Sequence, residues 1–162
     1  MQPPALTDNR PLMTDVHFYF NVPDKLSFAC RLARKALMQA RPILLTAPDP
    51  TLQTLDDMLW HMNASDFVAH NWLPAPTNAQ PPQAPSPIWL CANMEAEPPE
   101  HPNTLLTLWD EVQPAFSRFE HVYELVLRHD EADRQRARAR WRYYQQRGYA
   151  LHGHDLEANP HG

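Results

Sequence analysis

The sequence predicts an α/β protein: a single-domain, three-layer sandwich with a largely parallel, twisted sheet flanked by helices. Three observations carry that expectation. The 162 residues, 43% of them hydrophobic, suffice for one well-buried core and are too few for two ordinary domains. Early in the chain a β-branched and aromatic run is followed by a helix-periodic one, twice over, and such alternation favours parallel strands. The strand-like runs are short and apolar, and the first two close on proline.

Residues 1–14 are polar, carry prolines at 3, 4 and 11, and read as a disordered lead-in to a domain spanning 15–156. VHFYFNV (16–22) is the first strand, closing on Pro23 and Asp24. In 25–40, Leu26, Ala29, Cys30, Ala33, Ala36 and Leu37 recur at helical spacing with Arg31, Arg34 and Lys35 opposite, an amphipathic helix. PILLTAP (42–48) is a second strand. DPTLQTLDDMLWHM (49–62) is a second helix, with Asp49 as its expected cap and Pro50 in its first turn. The segment to Pro87 holds six prolines and little apolar content, so 74–87 reads as a long exposed loop. PIWLCA (87–92) and NTLLTLW (103–109) are strands separated by the acidic turn EAEPPEHP, and FEHVYELVL (119–127) is a fifth strand. DEADRQRARARWRYYQQRG (130–148) is the last long helix, with acids in its first turn and Gly148 at its C-terminal end, a charge order that complements the helix dipole. His152 and His154 then read as lying in a flexible stretch, and 157–162 is the flexible tail beyond the domain.

Much familiar chemistry is missing. The three glycines stand at 148, 153 and 162, all beyond the last predicted helix. Phosphate-binding loops need glycines just after the first strand, where backbone N–H groups approach the phosphates, so the layout is Rossmann-like without a nucleotide site. A GxSxG nucleophile elbow is excluded on the same ground. The nine histidines are scattered along the chain, and Asp56 and Asp57 face different ways on a helix, so no catalytic residue, metal ligand or cofactor is expected. Cys30 and Cys91 sit in apolar settings and read as buried free thiols. With neither an apolar run long enough to span a bilayer nor a signal peptide, a cytoplasmic location is expected.

What stands out is RQRARARWRYYQQRGYAL (134–151). Glu131 to Gly148 holds six arginines against two acids, a local +4 on a chain of net charge −5. On a helix, Arg134, Arg138, Trp141, Arg142 and Gln145 share one face at spacings of three and four. Guanidinium forks beside an indole plane suit a ligand carrying carboxylates together with an apolar group, such as an acidic peptide ending in a free carboxylate. Single-stranded nucleic acid stays open, since Trp141 could stack on a base while the arginines meet phosphates. So does a plain solvated arginine face, with Tyr143, Tyr144 and Tyr149 packed on the sheet.

VHFYFNV near the start, LDDMLWHMNASDFVAHNW in the middle and ARWRYYQQRGYAL near the end together resemble the chi subunit of bacterial DNA polymerase III, a clamp-loader accessory protein. The resemblance covers roughly residues 14–156. It implies a non-enzymatic, replisome-associated adaptor with little direct DNA binding. It further implies that the acidic C-terminal tail of single-stranded DNA-binding protein is held by the last helix, through residues matching Arg134, Arg138 and Trp141. The psi subunit, or a repair helicase in some bacteria, would meet a surface formed by Leu59, Trp60, Phe67 and Val68. Trp141 stands where the family leads one to expect tyrosine and Arg134 where it leads one to expect lysine, while the 74–87 and 95–100 loops have no counterpart in the pattern. His70 reads as a structural histidine.

Overall fold

The computed structural model describes residues 14–61, 68–72, 86–93 and 102–157. Among them run β1 (Asp15–Val22), α1 (Lys25–Met38), β2 (Ile43–Thr46), α2 (Asp49–Trp60), β3 (Asn71–Trp72), β4 (Ile88–Cys91), β5 (Thr104–Thr107), β6 (His121–Leu127), α3 (Glu131–Gln146) and β7 (Ala150–Asp155). The strands form one sheet in the order β3-β4-β2-β5-β6-β1-β7, with every pairing parallel.

Helices α1 and α2 cover one face and α3 the other. The pleat sorts the core accordingly: Ile43, Leu45, Ile88, Leu90, Leu106 and Leu125 pack with Ala29, Ala33, Leu52 and Leu55 on the α1/α2 side. Val16, Phe18, Leu44, Leu105, Val122 and Val126 pack with Ala137 and Tyr144 on the α3 side. Central β2 is buried at all four positions because both of its faces are covered.

Local chemistry sets the helix ends. Asp24 caps α1 by accepting from the Ser27 amide at 3.0 Å, and Asp130 caps α3 by accepting from Asp133 at 2.9 Å. The expected Asp49 cap is corrected: the Pro48 carbonyl accepts the first helical bond from Leu52 at 3.0 Å, so Pro48 is the cap and Asp49 already lies in the first turn. There its charge complements the positive helix end. At the other end of α3, Gly148 takes φ 82°, one residue past Arg147. Its amide donates to Gln145 and that of Tyr149 to Tyr144, a Schellman closure that turns the chain back toward the sheet.

That turn leads to the largest departure from the sequence reading. Ala150–Asp155, where His152 and His154 read as tail, is β7, in register with β1 from Asp15↔Ala150 to Phe20↔Asp155. An edge strand is held by backbone bonds on one side only, so ALHGHD needs no apolar run to pair. Gly153 permits the approach, since a Cβ there would stand 3.2 Å from the Phe20 ring. At the opposite edge, Asn71 holds β3 to β4 by donating to the Ser86 and Ile88 carbonyls. Thr14, counted with the lead-in, is buried and donates to the Phe119 carbonyl at 2.6 Å. Residues 1–13, most of the 74–87 loop, the 95–100 turn and 158–162 lie outside the described residues. No helix among the described residues is long and apolar enough to cross a membrane.

Candidate functional site

The five arginines of α3, and Arg147 just past its end, have different fates, and helical geometry sorts them. Asp133, Ala137, Arg140 and Tyr144, spaced four, three and four apart, form the buried stripe. Arg140 is only 3% exposed. Its Nε donates to Glu124 Oε1 at 2.8 Å, its Nη1 to the Asp110 carbonyl at 2.9 Å, and the Tyr144 hydroxyl completes Glu124 at 2.6 Å. Burial pushes the Glu124 carboxyl up, against the pull of Arg140 and Tyr144. Burial, and then the Glu124 charge, likewise raise the Tyr144 phenol. Burial would raise Asp133 as well, but the Leu127 amide and the Lys25 ammonium, each at 2.8 Å, outweigh it and hold that carboxyl low. Arg136 pairs with Asp110 and Asp133, and Arg147 lies 3.5 Å over the Tyr143 ring.

Arg134, Arg138 and Arg142 remain, and these three line a cleft of about 390 Å³ with Trp141. Its floor is apolar: Phe20 from β1, Val126 from β6 and Ala137 from α3. Trp141 is half-buried, its ring edge-on to Phe18 at 5.1 Å, so it is a fixed wall. The floor opens where β1 breaks register with β6 between Tyr19 and Val22. Asn21 sits in that irregularity at φ 62°, donating from Nδ2 to Asp155 Oδ1 at 2.7 Å. The cleft thus lies at the C-terminal ends of β1 and β6, where open parallel sheets place their binding sites.

Of the five helix residues chosen by spacing, four meet here; Gln145 is exposed and does not line the cleft. Phe20, Asn21 and Val126 were missed because helical spacing says nothing of the partner strands. Arg140 lies off the face that spacing grouped and was given no role of its own, although the lone acid in VYELV was the signal for a buried cation.

The second expected surface divides. Trp60 is 42% exposed, with its ring 5.0 Å from His70. Leu59 and Val68, expected on that surface, are corrected to core: Leu59 continues the Leu52–Leu55 stripe, and Val68 donates its amide to the Leu59 carbonyl. Phe67 lies outside the described residues. His70 is buried between the Val68 carbonyl and Asp56, whose Oδ1 also accepts from Trp72.

The histidines are less scattered than the sequence implied. His17, His121, His152 and His154 meet on β6, β1 and β7, with His17 stacked on His152 at 4.8 Å and on His154 at 5.4 Å. Burial and then the neighbouring imidazoles push His17 down from 6.5 to about 4. Among the described residues no three His, Cys, Asp or Glu side chains are arranged to hold a metal ion.

Two comparisons bear on this geometry. The family described as DNA polymerase III chi subunit, HolC, matches residues 13–152. DNA polymerase III subunit chi of Pseudomonas aeruginosa is 33% identical over 150 residues, covering 89% of this chain and 98% of that protein.

Proposed function

Because the chain belongs to the DNA polymerase III chi subunit family, whose members are replication accessory subunits, we propose that it is a non-catalytic adaptor, using the α3 cleft to hold the acidic C-terminal tail of single-stranded DNA-binding protein. One observation carries the reading: three guanidiniums ring an apolar floor closed by a fixed indole. Arg138 and Arg134 pair with carboxylates, Arg142 adds charge, and Trp141 with Phe20 receives the apolar end of the tail. Such a contact buries little area and leaves its charges wet, so affinity is on the order of micromolar and falls with salt. Weak binding suits a subunit that must hand its partner on. The psi subunit, or a repair helicase competing with it, takes the patch around Trp60, with Leu59 and Val68 as its buried support. The protein works in the cytoplasm as part of the replisome.

The test is a fluorescence anisotropy titration with a labelled acidic peptide ending in Asp-Phe with a free carboxylate, run beside labelled oligo-dT. The peptide binds, the oligonucleotide scarcely does, and Arg138→Ala weakens the peptide about tenfold or more. Oligonucleotide binding without peptide binding overturns the reading and makes α3 a nucleic-acid surface.

A further inference from the structure

Glu131 opens α3 and reaches two of the arginines that line the cleft. Its Oε1 accepts from Arg138 Nη1 at 3.3 Å, and its Oε2 stands 3.9 Å from Arg134 Nη1. One carboxylate therefore bridges the two guanidiniums assigned to the ligand, one oxygen on each. The spacing explains how: Arg134 is one turn on from Glu131 and Arg138 two turns, so both side chains reach back along one side of the helix. We propose that Glu131 is a resident competitor, a carboxylate of the chain itself that occupies the place of the ligand's carboxylate and sets how strongly an acidic partner must bind to displace it.

The inference rests on the tail-binding reading and adds its control. Glu131 is 59% exposed and Arg138 60%, so their pairing is solvent-screened and cheap to exchange. Water alone does not displace it, whereas a ligand that brings a carboxylate and fills the apolar floor gains on both counts. A lone anion with no apolar group gains on one, so the competitor favours tails of mixed character over simple anions. Arg142, also lining the cleft, has no carboxylate partner among the described residues and offers a first point of attachment before the exchange.

The experiment repeats the peptide titration with Glu131→Gln and with Glu120→Gln. Glu120 lies just before β6, at the end remote from Val126 and the cleft, so its variant removes the same charge without freeing a cleft arginine. Glu131→Gln is expected to bind the peptide up to about fivefold more tightly at low salt, with the gain shrinking as salt rises, and Glu120→Gln to bind as the parent does. Melting curves for both variants confirm that the fold persists. Equal affinities for Glu131→Gln and the parent, or equal gains in both variants, overturn the competitor. Failure of the parent and of Glu131→Gln alike to bind overturns the tail reading and the competitor with it.

Discussion

Arg138 and Arg140 stand two residues apart, yet one lies in water and the other in the core, so the same side chain serves opposite ends. Arg140, Glu124 and Tyr144, with the Asp110 carbonyl, form one buried network, and no buried side-chain polar atom among the described residues lacks a partner. Removing Arg140 or Glu124 leaves a charge without its counterpart. Arg140→Met alone should cost about 3–5 kcal/mol in urea unfolding, whereas Arg140→Met, Glu124→Leu and Tyr144→Phe together should return to near the parent value. A triple variant no more stable than the single one would mean that packing, not the stranded charge, sets the cost. The buried pair fixes the rotation of α3 about its axis, and that rotation puts Arg134, Arg138 and Arg142 at the cleft.

At the scale of elements, the end of α3 matters as much as its middle. The Schellman closure at Gly148 stops the helix where its basic face ends and directs the chain into β7, which pairs with β1. Asp155 at the end of β7 then holds Asn21 beside the cleft floor. Gly148→Ala forces a Cβ into left-handed backbone and should cost about 1 kcal/mol, read as a lowered melting temperature. An unchanged melting temperature would show that the turn relaxes without loss.

For the whole molecule, the sheet separates two surfaces. The cleft lies on the α3 side and exposed Trp60 on α2, across the sheet, so the two partners proposed for these surfaces would not meet. The histidine cluster ties the β7 edge to global stability. Folded His17 protonates near pH 4 and its unfolded form near 6.5, so between these values the unfolded state binds more protons. Stability is therefore fully present above pH 6.5 and declines as pH falls toward 4. Urea midpoints measured across that window should fall less steeply in His17→Gln than in the parent. Equal slopes would assign the acid sensitivity to other groups.

The α/β class, the order of the longer elements and the concentration of arginine and aromatic residues in one helix follow from the sequence alone, because period and composition are local properties. So does the want of a glycine-rich phosphate loop, which depends only on residue type at one turn. Helical spacing put Arg134, Arg138, Trp141, Arg142 and Gln145 on one face, since side chains three and four apart share a face, and all but Gln145 line the cleft. It could not tell that face from the one holding Arg140. Which side of a helix turns inward depends on what the sheet offers, and here the sheet offers a buried carboxylate, Glu124. Strand β7, the meeting of four histidines from three strands and the floor supplied by Phe20 and Val126 were settled only by tertiary structure. Each depends on backbone pairing between segments distant in the chain, and backbone pairing at a sheet edge leaves almost no trace in the side chains that carry it.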